Sequence, residues 1–305
     1  MAKIAKYLFS HSYLFHRAII IFIIALVHSQ LDGRLFDSPD MVGQIIFVII
    51  TLVAVSAMFP LLSEIPPMLC NLFRYGFSWP TMDTYQNKCN YILPFTGKWT
   101  VHNGGFAAGQ FHSWRGSTER HAYDFAIFEM EDGNDDWTPS ANVAEYPCYG
   151  KDIVAIADGV VIKTINHHPD SRTNGVKGYC DTWEMRGNYI IIKHADGEYS
   201  VTAHLKPNSV QIRKGDTVKQ GQIIAQCGNS GNSTAPHIHF QLQNSANILT
   251  AVSLPIAFTN IDTAYSQAHK EFCEETKRPV AIAGENSKIK NGKTYITRGL
   301  DVKNK

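Results

Sequence analysis

The chain has 305 residues, with 28 basic and 27 acidic side chains and a formal net charge of +1. That balance leaves no basic footprint for nucleic acid, and 22 glycines and 13 prolines are too few for a fibre or a disordered chain. A length of this order holds one sizeable core with appendages.

The amino-terminal region, residues 1–62, is apolar. Met41 to Leu62 reads MVGQIIFVIITLVAVSAMFPLL, 22 residues without a charge, the length that a bilayer's hydrocarbon core asks of a helix. A membrane span is expected over 41–62. Upstream, Ala18 to Val27 is wholly apolar but only ten residues long. The surrounding segment 13–28 therefore reads either as a signal-like element flanked by Lys3, Lys6 and Arg17 or as the first arm of a transmembrane hairpin. A single crossing by 41–62 would keep the basic start in the cytoplasm and export the rest, whereas two crossings would return it. Residues 63–90, with Pro66, Pro67, Gly76 and Pro80, read as a juxtamembrane linker.

A soluble domain is expected over 91–258, followed by a carboxyl-terminal extension, 259–305, with a polar, basic tail from Lys277. In Arg120 His121 Ala122 Tyr123 Asp124 Phe125 Ala126 Ile127, the bulky Tyr123, Phe125 and Ile127 face one way and Asp124 the other. A carboxylate set in such a strand needs a counter-charge, because an unpaired buried charge is expensive. Arg120 or a metal ion would serve.

From Gly150 onward, short β-branched runs alternate with turn residues: 152–156, 159–165, 188–194, 198–205, Val218, 223–227 and 237–242. Asp196 and Gly197 separate two of these runs, a two-residue hairpin signal, so an antiparallel sheet is expected. Gly150 to Val154 loosely echoes Gly215 to Val218, and each is followed by a glycine and a β-branched pair, the outline of a short duplication. In Val201 to Leu205 the apolar Val201, Ala203 and Leu205 alternate with Thr202 and His204, which assigns His204 to the polar face.

A loop rich in Gly, Asn and Ser, 228–233, leads through Pro236 into His237 Ile238 His239 Phe240 Gln241 Leu242. Apolar Ile238, Phe240 and Leu242 alternate with His237, His239 and Gln241, so both imidazoles project from one face, roughly 7 Å apart. Neutral imidazole is the commonest protein metal ligand, so the pair can share a site. The six cysteines contain no CxxC pair, which argues against a cysteine-rich structural zinc site. An even count permits disulfides without choosing a connectivity.

With His204 Leu205, the Gly215 to Ile224 turn and His237 to Phe240 in hand, the chain resembles the lysostaphin and LytM-type zinc metallopeptidases over roughly 99–243. The resemblance implies a mainly antiparallel β domain of the duplicated hybrid-motif kind, one Zn2+ ion and hydrolysis of peptide bonds in bacterial peptidoglycan. By position, Asp124 and His239 match zinc ligands, while His204 and His237 match the pair that polarises the water and steadies the transition state. Three protein ligands with a fourth position left to water make a catalytic zinc site.

The remaining ligand should be a histidine four residues before the aspartate, where this chain has Arg120. His112 and His121 are the alternatives. Strand parity turns His121 away from Asp124 and favours His112, unless a β-bulge restores His121. No HExxH helix is present, so the two free histidines must replace a glutamate base. A peptidoglycan substrate implies a membrane-anchored domain facing the periplasm or cell exterior, with a regulatory protein partner compatible with that setting. The alternatives are an inactive module that binds cell wall or activates another hydrolase, and a metal-free carrier of the hybrid-motif type.

Overall fold

A computed structural model describes residues 65–76, 78–107, 114, 116–128, 142–173, 185–248, 250–278 and 287–305, with Ile45 alone ahead of them. The segments 13–28 and 41–62 lie outside these residues, as does His112. Among the described residues no helix is long and apolar enough to cross a membrane. The chain divides into two compact units. In the first, comprising 1–79, 115–118 and 247–252, residues 65–75 are helical. The second comprises 80–114, 119–246 and 253–305 and contains all the strands named below.

The strands are β1 (Trp99–Gly104), β2 (Tyr123–Ala126), β3 (Asp152–Val154), β4 (Gly159–Ile165), β5 (Asn188–Ala195), β6 (Glu198–Leu205) and β7 (Thr217–Val218). They continue with β8 (Ile223–Gln226), β9 (Ile238–Gln243), β10 (Ser253–Leu254), β11 (Ile261–Tyr265), β12 (Ser287–Lys290), β13 (Lys293–Ile296) and β14 (Leu300–Asn304). One helix, Gln267–Glu275, follows β11 and is capped by Ser266, whose side chain accepts from the His269 N–H. The main sheet runs β11-β14-β1-β2-β9-β6-β5-β4-β7, with β10 also on β9, and its pairings are antiparallel.

The expected strands from 152 to 242 therefore form, within a residue or two at their ends. β5 and β6 join as the hairpin read from Asp196 and Gly197, with Ala195 opposite Glu198 and Gly197 at φ 73°. The two echoing segments pair crosswise: β3 of the first with β8 of the second, and β4 of the first with β7 of the second. That exchange is what a two-fold relation between two copies of one motif produces. The chain after 258 is continuous with the same sheet, since β14 joins β11 to β1.

One side of the sheet packs an aromatic core. Phe95 stacks on Trp99 at 4.7 Å and meets Phe125 edge-on at 5.0 Å, and Tyr123, Phe125, Phe240 and Phe258 are fully buried around them. Burying such a side chain contributes about 1.5–3 kcal/mol, so this layer sets the register of β2 against β9. Tyr123 lies opposite Phe240 and Phe125 opposite Ile238, which puts Asp124 opposite His239 on the other side.

Candidate active site

Asp124 and His239 are cross-strand neighbours, and their contact is direct: His239 Nδ1 lies 3.1 Å from Asp124 Oδ1. His237, just ahead of β9, brings its Nε2 to 3.7 Å from the same oxygen. The other carboxylate oxygen accepts from Asn103 Nδ2 at 3.1 Å. The Asp124 side chain is 6% exposed, so its charge is met by these groups rather than by bulk water.

His204 joins the group by a different route from the one alternation assigns. In the β6–β9 register Ala203 lies opposite His239 and Thr202 opposite Phe240. Regular alternation would send His204 to the Thr202 and Phe240 side, into the aromatic core. Two local departures turn it back. β6 carries one extra residue against β5, between the Ile190↔Thr202 and Asn188↔Leu205 pairs, and His204 itself has φ 60°. A bulge re-aims a side chain, and left-handed backbone is uncommon outside glycine. The result is a ring 4.7 Å from His237 and 5.9 Å from His239, centroid to centroid.

The Gly, Asn and Ser-rich loop holds this geometry. Ser230 Oγ donates to Leu205 O at 2.7 Å and accepts from Asn188 N at 2.9 Å, while Ser230 O meets His204 Nδ1 at 2.8 Å. The loop can come this close because Gly231, at φ 81°, faces Gly187: a Cβ on Gly231 would lie 2.3 Å from the Gly187 nitrogen.

Hydrogen bonds assign the ring protons. A carbonyl only accepts, so His204 Nδ1 carries its proton to Ser230 O and Nε2 keeps a lone pair. His237 Nδ1 likewise donates to Ala235 O at 2.8 Å, leaving Nε2 as its base toward Asp124. Burial, followed by the nearby His237 and His239, holds His204 well below the ordinary histidine range, so it is neutral.

His239 is oriented the other way round. Its Nε2 faces Gln241 Oε1 at 3.0 Å, and that amide is aligned by its own Nε2 donating to Gln243 Oε1 at 2.7 Å. Nε2 therefore carries the proton, and a neutral ring would turn the Nδ1 lone pair onto a carboxylate oxygen. Two acceptors facing each other at 3.1 Å need a proton or a cation between them. Burial pulls His239 down, but the Asp124 hydrogen bond and charge outweigh it and raise the ring to about 9. The donor set, one carboxylate and one imidazole nitrogen aimed at a common point, fits a divalent cation such as zinc.

Among the described residues no three His, Cys, Asp or Glu side chains stand together as a ready metal cluster. His121 is not part of this group. Its Nε2 bonds to Pro80 O at 2.9 Å and its ring meets Trp114 edge-on at 5.3 Å. The described cysteines Cys70, Cys89, Cys148, Cys227 and Cys273 carry free thiols, and Cys180 lies outside the described residues.

The four residues open onto a cleft of about 500 Å3, within the size range of ligand sites. Asn103, Gln241 and Ser230, which orient Asp124, His239 and His204, escaped the sequence reading. Gln241 alone left a signal, as the third polar residue on the face of β9. Arg186, Arg278, Glu119 and His102 also line the cleft and left no signal in the sequence.

Residues 144–250, about a third of the chain, match Peptidase family M23. A stretch of 114 residues, 35% of the chain, is 32% identical to the peptidoglycan DD-endopeptidase ShyA of Vibrio cholerae and covers 22% of it. A second, 28% of the chain, is 31% identical to the DD-carboxypeptidase/endopeptidase Mpg of Neisseria meningitidis and covers 20% of it. The matched part of this chain thus spans about a fifth of the length of these curated relatives. The catalytic domain of lysostaphin from Staphylococcus simulans is 24% identical. It covers 52% of this chain and 88% of that chain at a TM-score of 0.29, a likeness too loose to bear on function.

Proposed function

We propose that this chain is a zinc-dependent endopeptidase of the M23 type, hydrolysing peptide bonds in bacterial peptidoglycan. The observation that carries this reading is the convergence of Asp124, His239, His237 and His204 on one cleft, with the ring protons assigned so that His204 and His237 each present an Nε2 base. The match to family M23 and the similarity to two bacterial endopeptidases support the substrate class.

Asp124 and His239 would hold the ion, with His112, which strand parity favours over His121, as the third ligand. When bound, zinc supplies a Lewis acid that polarises the scissile carbonyl and lowers the pKa of water to about 7. The chain's own residues do the rest. His204 is a neutral acceptor beside the attack position and His237 presents its Nε2 there, so one of them takes the water proton as the new C–O bond forms. The resulting imidazolium donates to the developing oxyanion or passes its proton to the departing amine. Asn103 and Gln241 keep Asp124 and His239 in place throughout.

We further assign the catalytic unit to the outer side of the cytoplasmic membrane, tethered by a single span at 41–62. The location of peptidoglycan supports this. A reporter fusion placing residue 150 in the cytoplasm would overturn it.

The chemistry is tested on the full chain by zinc analysis and peptidoglycan digestion, with product masses identifying the bond cut. Asp124→Ala and His239→Ala should lose both zinc and activity, each rate falling by ~10³-fold or more. His204→Ala should lose activity while keeping most of its zinc. Full zinc stoichiometry in Asp124→Ala would sink the ligand assignment, and cell-wall binding without digestion would point to a non-catalytic module.

A further inference from the structure

A second group of residues faces the same cleft from β1. The β1–β2 register passes from Val101↔Phe125 directly to Asn103↔Asp124, so His102 is an inserted, bulged residue. Its ring turns into an aromatic pocket formed by Phe128, His269 and Phe272, at centroid distances of 5.3, 5.4 and 5.6 Å. Arg278, just beyond the helix Gln267–Glu275, reaches into this pocket. Its Nη1 lies 3.1 Å from His102 Nε2, and its guanidinium carbon sits 5.1 Å from the Phe272 ring centre.

A guanidinium has donors only, so His102 Nε2 must accept, which requires the neutral imidazole. Burial, followed by the charge of nearby His269, agrees with this and lowers His102 to about 3. The partners matter electrostatically. A guanidinium tied to a carboxylate has its charge largely cancelled, whereas one held by a neutral ring nitrogen and an aromatic face keeps it. Among the described residues no carboxylate lies within ion-pair distance of Arg278. Arg278 lines the cleft with Asp124 and His237. Arg186, whose guanidinium carbon lies 4.1 Å over the Tyr189 ring, is a second cation on the lining, and Glu119 is a carboxylate there.

We propose that Arg278, positioned by His102 and Phe272, is a specificity-determining contact that selects a peptide bearing a free carboxylate near the scissile bond. This rests on the endopeptidase reading above and adds the chemical feature that the cleft recognises. A carboxylate accepts two parallel N–H bonds from a guanidinium, while a carboxamide of the same shape offers one acceptor and no charge. Glu119 repels the same carboxylate, which restricts where along the cleft it is seated.

The test compares a synthetic peptidoglycan stem peptide that carries, beside the scissile bond, either a free carboxylate or its carboxamide. Cleavage is measured on the zinc-loaded full chain, and binding is measured on the same chain carrying His204→Ala to suppress turnover. The acid form should be preferred about 10- to 100-fold in both Kd and kcat/KM, the range of charge-assisted hydrogen bonds. Arg278→Gln should bring that ratio to within about twofold, with the loss falling mainly on KM. Arg278→Lys should lie between the two. His102→Phe, which fills the pocket but cannot accept a hydrogen bond, should lower the ratio part of the way, a change that a purely structural role would not produce.

Equal treatment of acid and amide, or an Arg278→Gln variant that weakens both alike, overturns this inference. Cleavage without discrimination removes it and leaves the endopeptidase reading standing. Discrimination in binding without cleavage keeps it and removes that reading. Failure of both peptides to bind overturns both.

Discussion

His204 shows what a single backbone angle does for this site. At φ 60° it occupies a region in which a Cβ is crowded by the neighbouring carbonyl, at a cost of about 1–2 kcal/mol. The return is an Nε2 lone pair beside His237 instead of an imidazole driven into the aromatic core. His204→Gly and His204→Ala both remove the imidazole and its bond to Ser230 O, so the difference between them isolates the backbone. The glycine variant should be the more stable by ~1 kcal/mol, because glycine adopts positive φ without a clash. Urea unfolding of the two full-length variants measures this, and an alanine variant of equal or greater stability would show that the angle carries no strain.

At the level of elements, the site is assembled by one packing contact, the approach of the 228–233 loop to the turn ahead of β5. Ser230 links Leu205, Asn188 and His204 in one small network. The contact depends on Gly231, where an added Cβ would meet backbone atoms of Met185, Arg186 and Gly187 at 2.3–2.7 Å. Backbone cannot rotate aside as a flexible side chain can. Gly231→Ala should therefore cost ~2 kcal/mol or more in stability. It should also lower kcat more than KM, since the loop and His204 move together. Chemical denaturation with steady-state kinetics checks both, and an unchanged kcat at lowered stability would separate the loop from the orientation of His204.

For the whole second unit, one end of the sheet is built by residues far apart in the chain. β14, the last strand, sits between β11 and β1, with Leu300 and Val302 buried, and β1 in turn pairs with β2, which carries Asp124. Asn304 also donates from Nδ2 to Phe95 O at 2.8 Å. Removing 299–305 strips two strands of their partner and deletes two buried side chains, Leu300 and Val302, each worth about 1.5–3 kcal/mol. Such a truncation should unfold at least ~10 °C below the parent chain and lose zinc along with it. Calorimetry decides, and an unshifted transition would make the carboxyl-terminal strands dispensable.

Much of this was legible in the chain itself. Period-two alternation located the strands from 152 to 242, and Asp196 with Gly197 located the hairpin, because a half-buried strand must present apolar residues to one side only. The same parity set Asp124 apart from Tyr123 and Phe125, and His239 apart from Phe240. Alternation failed at His204 because it lies at a β-bulge, where one extra residue switches the face of every later side chain in the strand. Bulges arise from how two distant strands meet, so no local pattern announces them. Cross-strand register, the Ser230 network and the arrival of Arg278 beside His102 likewise depend on which segments become neighbours. The sequence determined which residue types were available for the chemistry and which way most of them point, since those properties come from local periodicity and side-chain character. The tertiary structure alone decided that they meet, because their meeting is set by packing between strands more than a hundred residues apart.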